Sequence, residues 1–209
     1  MKKLVVFDLD GTLNRTDLFS VPAHLKALAQ RGITHVTKEE IVDTFGERAQ
    51  EYVKKLAGEL SPEEERRYLD DVAKYEAELI AINGRPYDGV FESLSHLKAD
   101  GYQTAICSNS STRYITMVLR EIGIDVLIDV IQDLHPGMNK IETLKLLLEQ
   151  EKPTAAVMVG DRCFDIEAGK KNGLKTIGCR YGFQPAESEE ADVVIDSAYD
   201  IYEAVKRLI

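Results

Sequence analysis

Short apolar runs that stop abruptly at acids or hydroxyls, separated by stretches of helical spacing, recur along this chain. Lys2 to Phe7 is the first run, and it ends in Asp8-Leu9-Asp10-Gly11-Thr12. Thr104–Cys107, Val130–Gln132, Ala156–Val159, Thr176–Cys179 and Val193–Ile195 are further runs, several of which end in polar or acidic residues. Such runs predict buried strands. Between them, Val90–Ala99, Thr112–Ile122, Lys140–Gln150, Ile166–Lys171 and Tyr199–Leu208 carry helical periodicity bounded by Gly, Pro or Asp. Strand and helix in alternation predict an α/β fold, a doubly wound, Rossmann-like parallel sheet covered on both faces.

Leu18 to about Ile82 breaks the rhythm: it is rich in Glu, Lys, Ala and Leu, with no strand pattern. It reads as a helical insert, with helices over Ala23–Gln30, over Lys38–Phe45 continuing past Gly46 to about Leu56, and over Pro62–Ile82. Ser61-Pro62-Glu63-Glu64 is a helix start, and the charges beyond it read as a solvated face. The expected organisation is a core of residues 1–16 and 84–209 with an inserted helical domain over 17–83.

With 209 residues the chain can hold one large core plus an insertion. A net charge of -10 argues against nucleic-acid or anionic-membrane partners. No apolar stretch approaches the ~20 residues of a membrane helix, so a cytoplasmic location is the default expectation. Cys107, Cys163 and Cys179 have no metal-ligand spacing, which fits a reducing compartment.

The chemistry sits where the strands end. Asp8 and Asp10 leave the first strand at its carboxyl end, where open α/β sheets hold ligands, and Gly11 turns the chain away. Ser108-Asn109-Ser110-Ser111-Thr112 brings hydroxyls and free N–H groups to a helix start, although Ser110 or Ser111 can equally serve as a cap. Lys140 opens a helix after Pro136-Gly137-Met138-Asn139, where the dipole disfavours a cation unless an anion is near. Gly160-Asp161 follows another apolar run, with Asp165 at the next helix start, where it can act as a cap. Gathering Asp8, Asp10, Asp161 and Asp165 would cost on the order of 4 kcal/mol per close pair at an effective dielectric of about 20. A hard cation such as Mg²⁺ answers that repulsion.

These four motifs, in this order, resemble those of the haloacid-dehalogenase superfamily of phosphohydrolases. The insert is similar to the caps of its phosphoglycolate-phosphatase-like and β-phosphoglucomutase-like branches, and Gly178 to Phe183 resembles a glycine-bearing strand exit of the first branch. The resemblance implies Asp8 as nucleophile, Asp10 as acid and base, and Mg²⁺ held by Asp8, Asp161 and the backbone carbonyl of Asp10, with Asp165 as a further ligand or an anchor behind them. It implies phosphate binding by Thr12, Ser108, Asn109 and Lys140. Dehalogenases lack the second Asp and transport ATPases carry Thr there, so Asp10 favours a phosphatase of small-molecule phosphate esters, acting as monomer or homodimer. A phosphomutase and a catalytically idle binding protein are the alternatives.

In the insert, Thr44-Phe45-Gly46-Glu47-Arg48 lies where such caps carry a specificity turn, making Arg48 a candidate contact for a second anionic group, with Arg180 and Arg85 behind it. A solvated Arg48 is the alternative. Of His24, His35, His96 and His135, only His135 is expected near the site.

Overall fold

A computed structural model of the chain describes residues 2–135 and 137–209. Pro136, in the predicted turn before Lys140, lies outside the described residues. Six strands form one sheet: β1 (Lys3–Phe7), β2 (Gln103–Cys107), β3 (Val130–Gln132), β4 (Ala155–Gly160), β5 (Lys175–Cys179) and β6 (Val193–Ile195). Their order is β3-β2-β1-β4-β5-β6, and every pairing is parallel. The chain fills one side of β1 through β2 and β3, then crosses back to start the other side with β4. The crevice between β1 and β4 is therefore where strand order reverses.

Alternation along β1 divides the two layers. Val5 and Phe7 pack with Leu94, Leu97, Ile115, Val118 and Val205 on one face. These come from α5 (Val90–Ala99), α6 (Thr112–Glu121) and α9 (Ile201–Leu208). Leu4 and Val6 meet Leu144, Leu147 and Ala168 on the other face, from α7 (Lys140–Glu151) and α8 (Cys163–Lys171). Both faces of β1 are buried, as an all-parallel sheet requires.

The insert folds as α1 (Ser20–Ala29), α2 (Lys38–Val42), α3 (Ala49–Ala57) and α4 (Pro62–Asn83) around its own apolar cluster, which includes Leu28, Ile41, Phe45, Leu56, Tyr68 and Val72. The single helix expected from Lys38 past Gly46 is two, because Gly46 takes φ +89° and the chain turns there. Ser61 caps α4 as expected, its hydroxyl accepting from the Glu64 N–H at 3.3 Å while Glu64 accepts from the Ser61 N–H at 3.0 Å. The two connections to the core run side by side: the Arg15 N–H donates to the Arg85 carbonyl at 3.1 Å and the Tyr87 N–H to the Leu13 carbonyl at 3.0 Å. At the C-terminus, α9 begins at Ile201 rather than Tyr199, since Ala198–Asp200 form a 3₁₀ turn. No helix among the described residues is long and apolar enough to cross a membrane.

Candidate active site

Asp8 follows β1 directly, its N–H donating to the Val159 carbonyl of β4 at 2.9 Å, so it sits in the crevice where strand order reverses. The face of β1 that carries Leu4 and Val6 looks toward α7 and α8, and Asp8 continues that alternation. Those helices supply its partners. Lys140, first residue of α7, places Nζ 2.5 Å from Asp8 Oδ1 and 2.5 Å from Asp165 Oδ1. Oxygens of Asp8, Asp161 and Asp165 lie within 4.8 Å of one another, and all three side chains are buried.

One ammonium thus faces three carboxylates. Burial lifts the Asp8 carboxyl to about 7, Lys140 pulls it down, and Asp165 and Asp10 push it up. Asp161 is raised well above the ordinary carboxylate value, first by burial and then by Asp165 and Asp8. Burial disfavours the Lys140 ammonium, but Asp165 and Asp8 outweigh it and hold the group above its usual value. Asp165 Oδ1, though 2.5 Å from Lys140 Nζ, accepts no well-directed hydrogen bond from the described residues. Three buried carboxylates that share a single ammonium keep an excess of negative charge, a donor set suited to a hard divalent cation.

Asp161 is braced from three directions. Thr12 donates its hydroxyl to Oδ1 at 3.1 Å, and the Phe183 N–H donates to Oδ2 at 2.9 Å. A Cβ on Gly182 would fall 2.2 Å from the Asp161 Cβ, so the glycine-bearing exit after β5 is what lets the chain close over this acid. Thr12 is therefore engaged with Asp161. Asp165 caps α8 not from the position before the helix but as its third residue, its Oδ2 accepting from the Arg162 N–H at 3.0 Å. That bond extends α8 forward to Cys163, three residues before the expected start. Cys163 is exposed, and desolvation together with Glu187 raises its thiol to about 11, which disfavours the thiolate a nucleophile would need.

Asp10 faces away from the triad. Its Oδ1 accepts from Thr16 Oγ1 at 2.6 Å, Tyr114 Oη at 3.0 Å and Asn14 Nδ2 at 3.2 Å, and its Oδ2 from Ser110 Oγ at 3.4 Å. Burial raises its carboxyl while these donors lower it, with a net rise. Its side chain is accordingly outside the group of carboxylates that could share a cation, which leaves Asp10 its backbone carbonyl for that purpose. Phe7 pairs with Ile106, so the turn after β2 opens beside Asp8. There Ser108 is buried and its hydroxyl accepts from the Ser110 N–H at 3.1 Å, while Ser111 caps α6. Asn109 donates Nδ2 to the Gly46 carbonyl at 2.8 Å.

Over this edge of the sheet the inserted helices enclose a cavity of about 410 Å³, lined from the core by Asp10, Asn109, Ser110 and Tyr114. The Thr44–Glu47 turn and Ser20, His24, Tyr52 and Glu76 line it from the insert. Arg48 does not enter it: the guanidinium donates to the Met138 carbonyl and lines a neighbouring cavity with Asn139 and Lys140. Arg180 is remote from both, half-exposed and paired with Glu189 and Asp196 at 2.8 Å each. Arg85 lines a third cavity with Arg15 and Tyr87, away from Asp8. Sequence reasoning missed Glu76, His24 and Tyr114, and His24 faces the site where His135 was expected.

A family model described as haloacid dehalogenase-like hydrolase matches residues 5–179, from β1 to the end of β5. The chain belongs to that family. It is 32% identical over 226 residues to a phosphoglycolate phosphatase of Vibrio vulnificus, covering 97% of this chain and 96% of that protein. It is 28% identical over 221 residues to an N-acetylmuramic acid 6-phosphate phosphatase of Pseudomonas aeruginosa, covering 99% of this chain and 96% of the relative. The crystal structure of a predicted phosphoglycolate phosphatase from Haemophilus somnus 129pt superposes with a TM-score of 0.86 at 25% identity, covering 97% of each chain. As a haloacid dehalogenase-like protein with such relatives, the chain is a hydrolase of the phosphatase type.

Proposed function

We propose that this hydrolase is an Mg²⁺-dependent phosphatase of small-molecule phosphate monoesters that works through an aspartyl-phosphate on Asp8. The observation that carries the reading is the buried triad of Asp8, Asp161 and Asp165, with Lys140 paired to Asp8 and Asp165, and with Asp8 two residues from the Asp10 that lines the cavity under the insert. Asp8, Asp161 and Asp165 would hold Mg²⁺, together with the backbone carbonyl of Asp10. When bound, the ion would neutralise Asp8 and a phosphoryl oxygen.

In the first step an Asp8 oxygen attacks phosphorus, the bond to the alcohol oxygen breaks, and Asp10 gives its proton to the departing alkoxide. The net rise of the Asp10 carboxyl favours the protonated form that this step needs. In the second step Asp10 takes a proton from water as that water attacks the aspartyl-phosphate, releasing inorganic phosphate and restoring Asp8. Ester and water become alcohol and phosphate, and no other reactant is consumed. Ser108, the N–H groups that follow it and Lys140 would hold the phosphoryl oxygens, where charge is spread during transfer. Thr12 would act indirectly, by fixing Asp161.

The test is phosphate release from a panel of monoesters, in Mg²⁺ and in excess chelator, for the native chain and Asp8→Asn. Turnover is expected only with the metal, and Asp8→Asn should lower kcat by roughly 10³-fold or more. Turnover that persists in Asp8→Asn removes Asp8 as nucleophile, and turnover indifferent to chelator removes the metal.

A further inference from the structure

The cavity beneath the inserted helices has a chemical bias that the relatives' names do not anticipate. Among the described residues that line it there is no Lys and no Arg, while Asp10, Glu47 and Glu76 contribute carboxylates. Lys55 pairs with Glu47 at 2.5 Å from a side chain that is itself 58% exposed, and Arg48 is turned to the Met138 carbonyl in the adjoining cavity. His24 adds no charge, because burial pushes its imidazole down to about 4.

Glu76 lies deepest in the acidic wall. Its residue is only 8% exposed, its Oε1 accepts from Ser20 Oγ at 2.6 Å, and Oε2 accepts nothing from the described residues. Desolvation raises this carboxyl to about 7, with the Ser20 hydroxyl opposing and the Asp10 charge adding. Such a group is relieved by a ligand that brings it a hydrogen-bond donor, and made worse by a ligand that brings it another negative charge. We propose that the alcohol released by this enzyme carries hydrogen-bond donors and no negative charge, being a polyol or an amino alcohol, and that Glu76 reads it; the inference rests on the phosphatase reading given above.

The carboxylate of a phosphoglycolate leaving group would face Glu76 and Asp10 with no cation to meet it. Hydroxyls or an ammonium would instead find the free Glu76 oxygen, the Ser20 and Ser110 hydroxyls and Tyr52. Glu76 is thus a specificity residue for the leaving group, acting apart from the phosphoryl site.

The experiment measures kcat/KM in Mg²⁺ for glycerol 3-phosphate, phosphoethanolamine and 2-phosphoglycolate, with p-nitrophenyl phosphate reporting the phosphatase chemistry by itself. The native enzyme is expected to prefer one of the first two over 2-phosphoglycolate by about tenfold or more. The glycerol and ethanolamine arms separate a polyol from an amino alcohol. Glu76→Gln, which keeps shape and removes charge, should narrow that preference at least about threefold. Ala73→Arg, which adds a cation on an exposed residue at the cavity wall, should narrow it without touching a buried side chain. Native preference for 2-phosphoglycolate, or a ratio unmoved by both substitutions while p-nitrophenyl phosphate is still hydrolysed, overturns the inference alone. No turnover of any ester, p-nitrophenyl phosphate included, overturns the phosphatase reading and this inference with it.

Discussion

At the scale of single residues, Asp8 and Asp10 differ by two positions and by nearly everything that surrounds them. Asp8 looks at a lysine and two other acids, whereas Asp10 looks at three hydroxyls and an amide. β1 ends at Phe7, so the alternation that aims Asp8 no longer governs Asp10, and the turn at Gly11 (φ +86°) carries it to the α6 side. Tyr114 is the donor most easily removed there. Its hydroxyl lies 3.0 Å from Asp10 Oδ1 and stabilises the carboxylate, so Tyr114→Phe raises the Asp10 value further. A general acid is lost as pH climbs through its pKa; the alkaline limb of kcat against pH should therefore move to higher pH, with kcat/KM down about fivefold for a loss of about 1 kcal/mol. A limb that stays in place while the rate falls would make Tyr114 a packing residue only.

At the scale of elements, the turn between α2 and α3 joins the insert to the catalytic loops. Asn109 donates to the Gly46 carbonyl from the loop after β2, and Arg162 donates to the Phe45 carbonyl from the loop after β4. Two strand ends thus grip one turn. Asn109→Ala removes the first grip and should cost about 1 kcal/mol, near 2–4 °C in Tm for a chain of this size. Amide exchange across Thr44–Arg48 should quicken more than exchange in β1 and β4. Unchanged exchange in the turn would mean that Arg162 holds it unaided. The strands and their acids were legible in the sequence because the apolar runs of β1 and β4 end where acids begin, and Asp8, Asp161 and Asp165 lie together in the structure. Glu76 was not, because a charge-laced helix reads as solvated on composition. Its position nonetheless carried a signal: it sits four residues after Val72 and four before Ile80, on the buried stripe of α4. The partners of Arg48 and Arg180 were not legible for a different reason. A long cation has several acceptors within reach, and local sequence does not choose between a backbone carbonyl, a surface acid and a ligand.

At the scale of the whole molecule, the four motifs meet only when β1, β2, β4, α7 and α8 are in place, so the cost of gathering their acids falls on the stability of the core. The Asp8 value of about 7 in the folded chain lies above its ordinary 3.8. Between those pH values the folded chain binds more protons than the unfolded one, and stability is lost as pH rises through the window. Asp161 is displaced in the same direction, while Lys140 stays charged across the window and adds no slope. A divalent cation binds the ionised carboxylates in competition with protons, and so cancels this loss where it is largest. The gain in Tm from Mg²⁺ over chelator should therefore be small near pH 5 and grow toward pH 8. It should reach about 5–10 °C when the ion is roughly 100-fold above its Kd. Scanning calorimetry at several pH values measures it, with Asp161→Asn expected to abolish most of the gain. A gain that is flat with pH, or that survives in Asp161→Asn, would take the cation away from these three carboxylates.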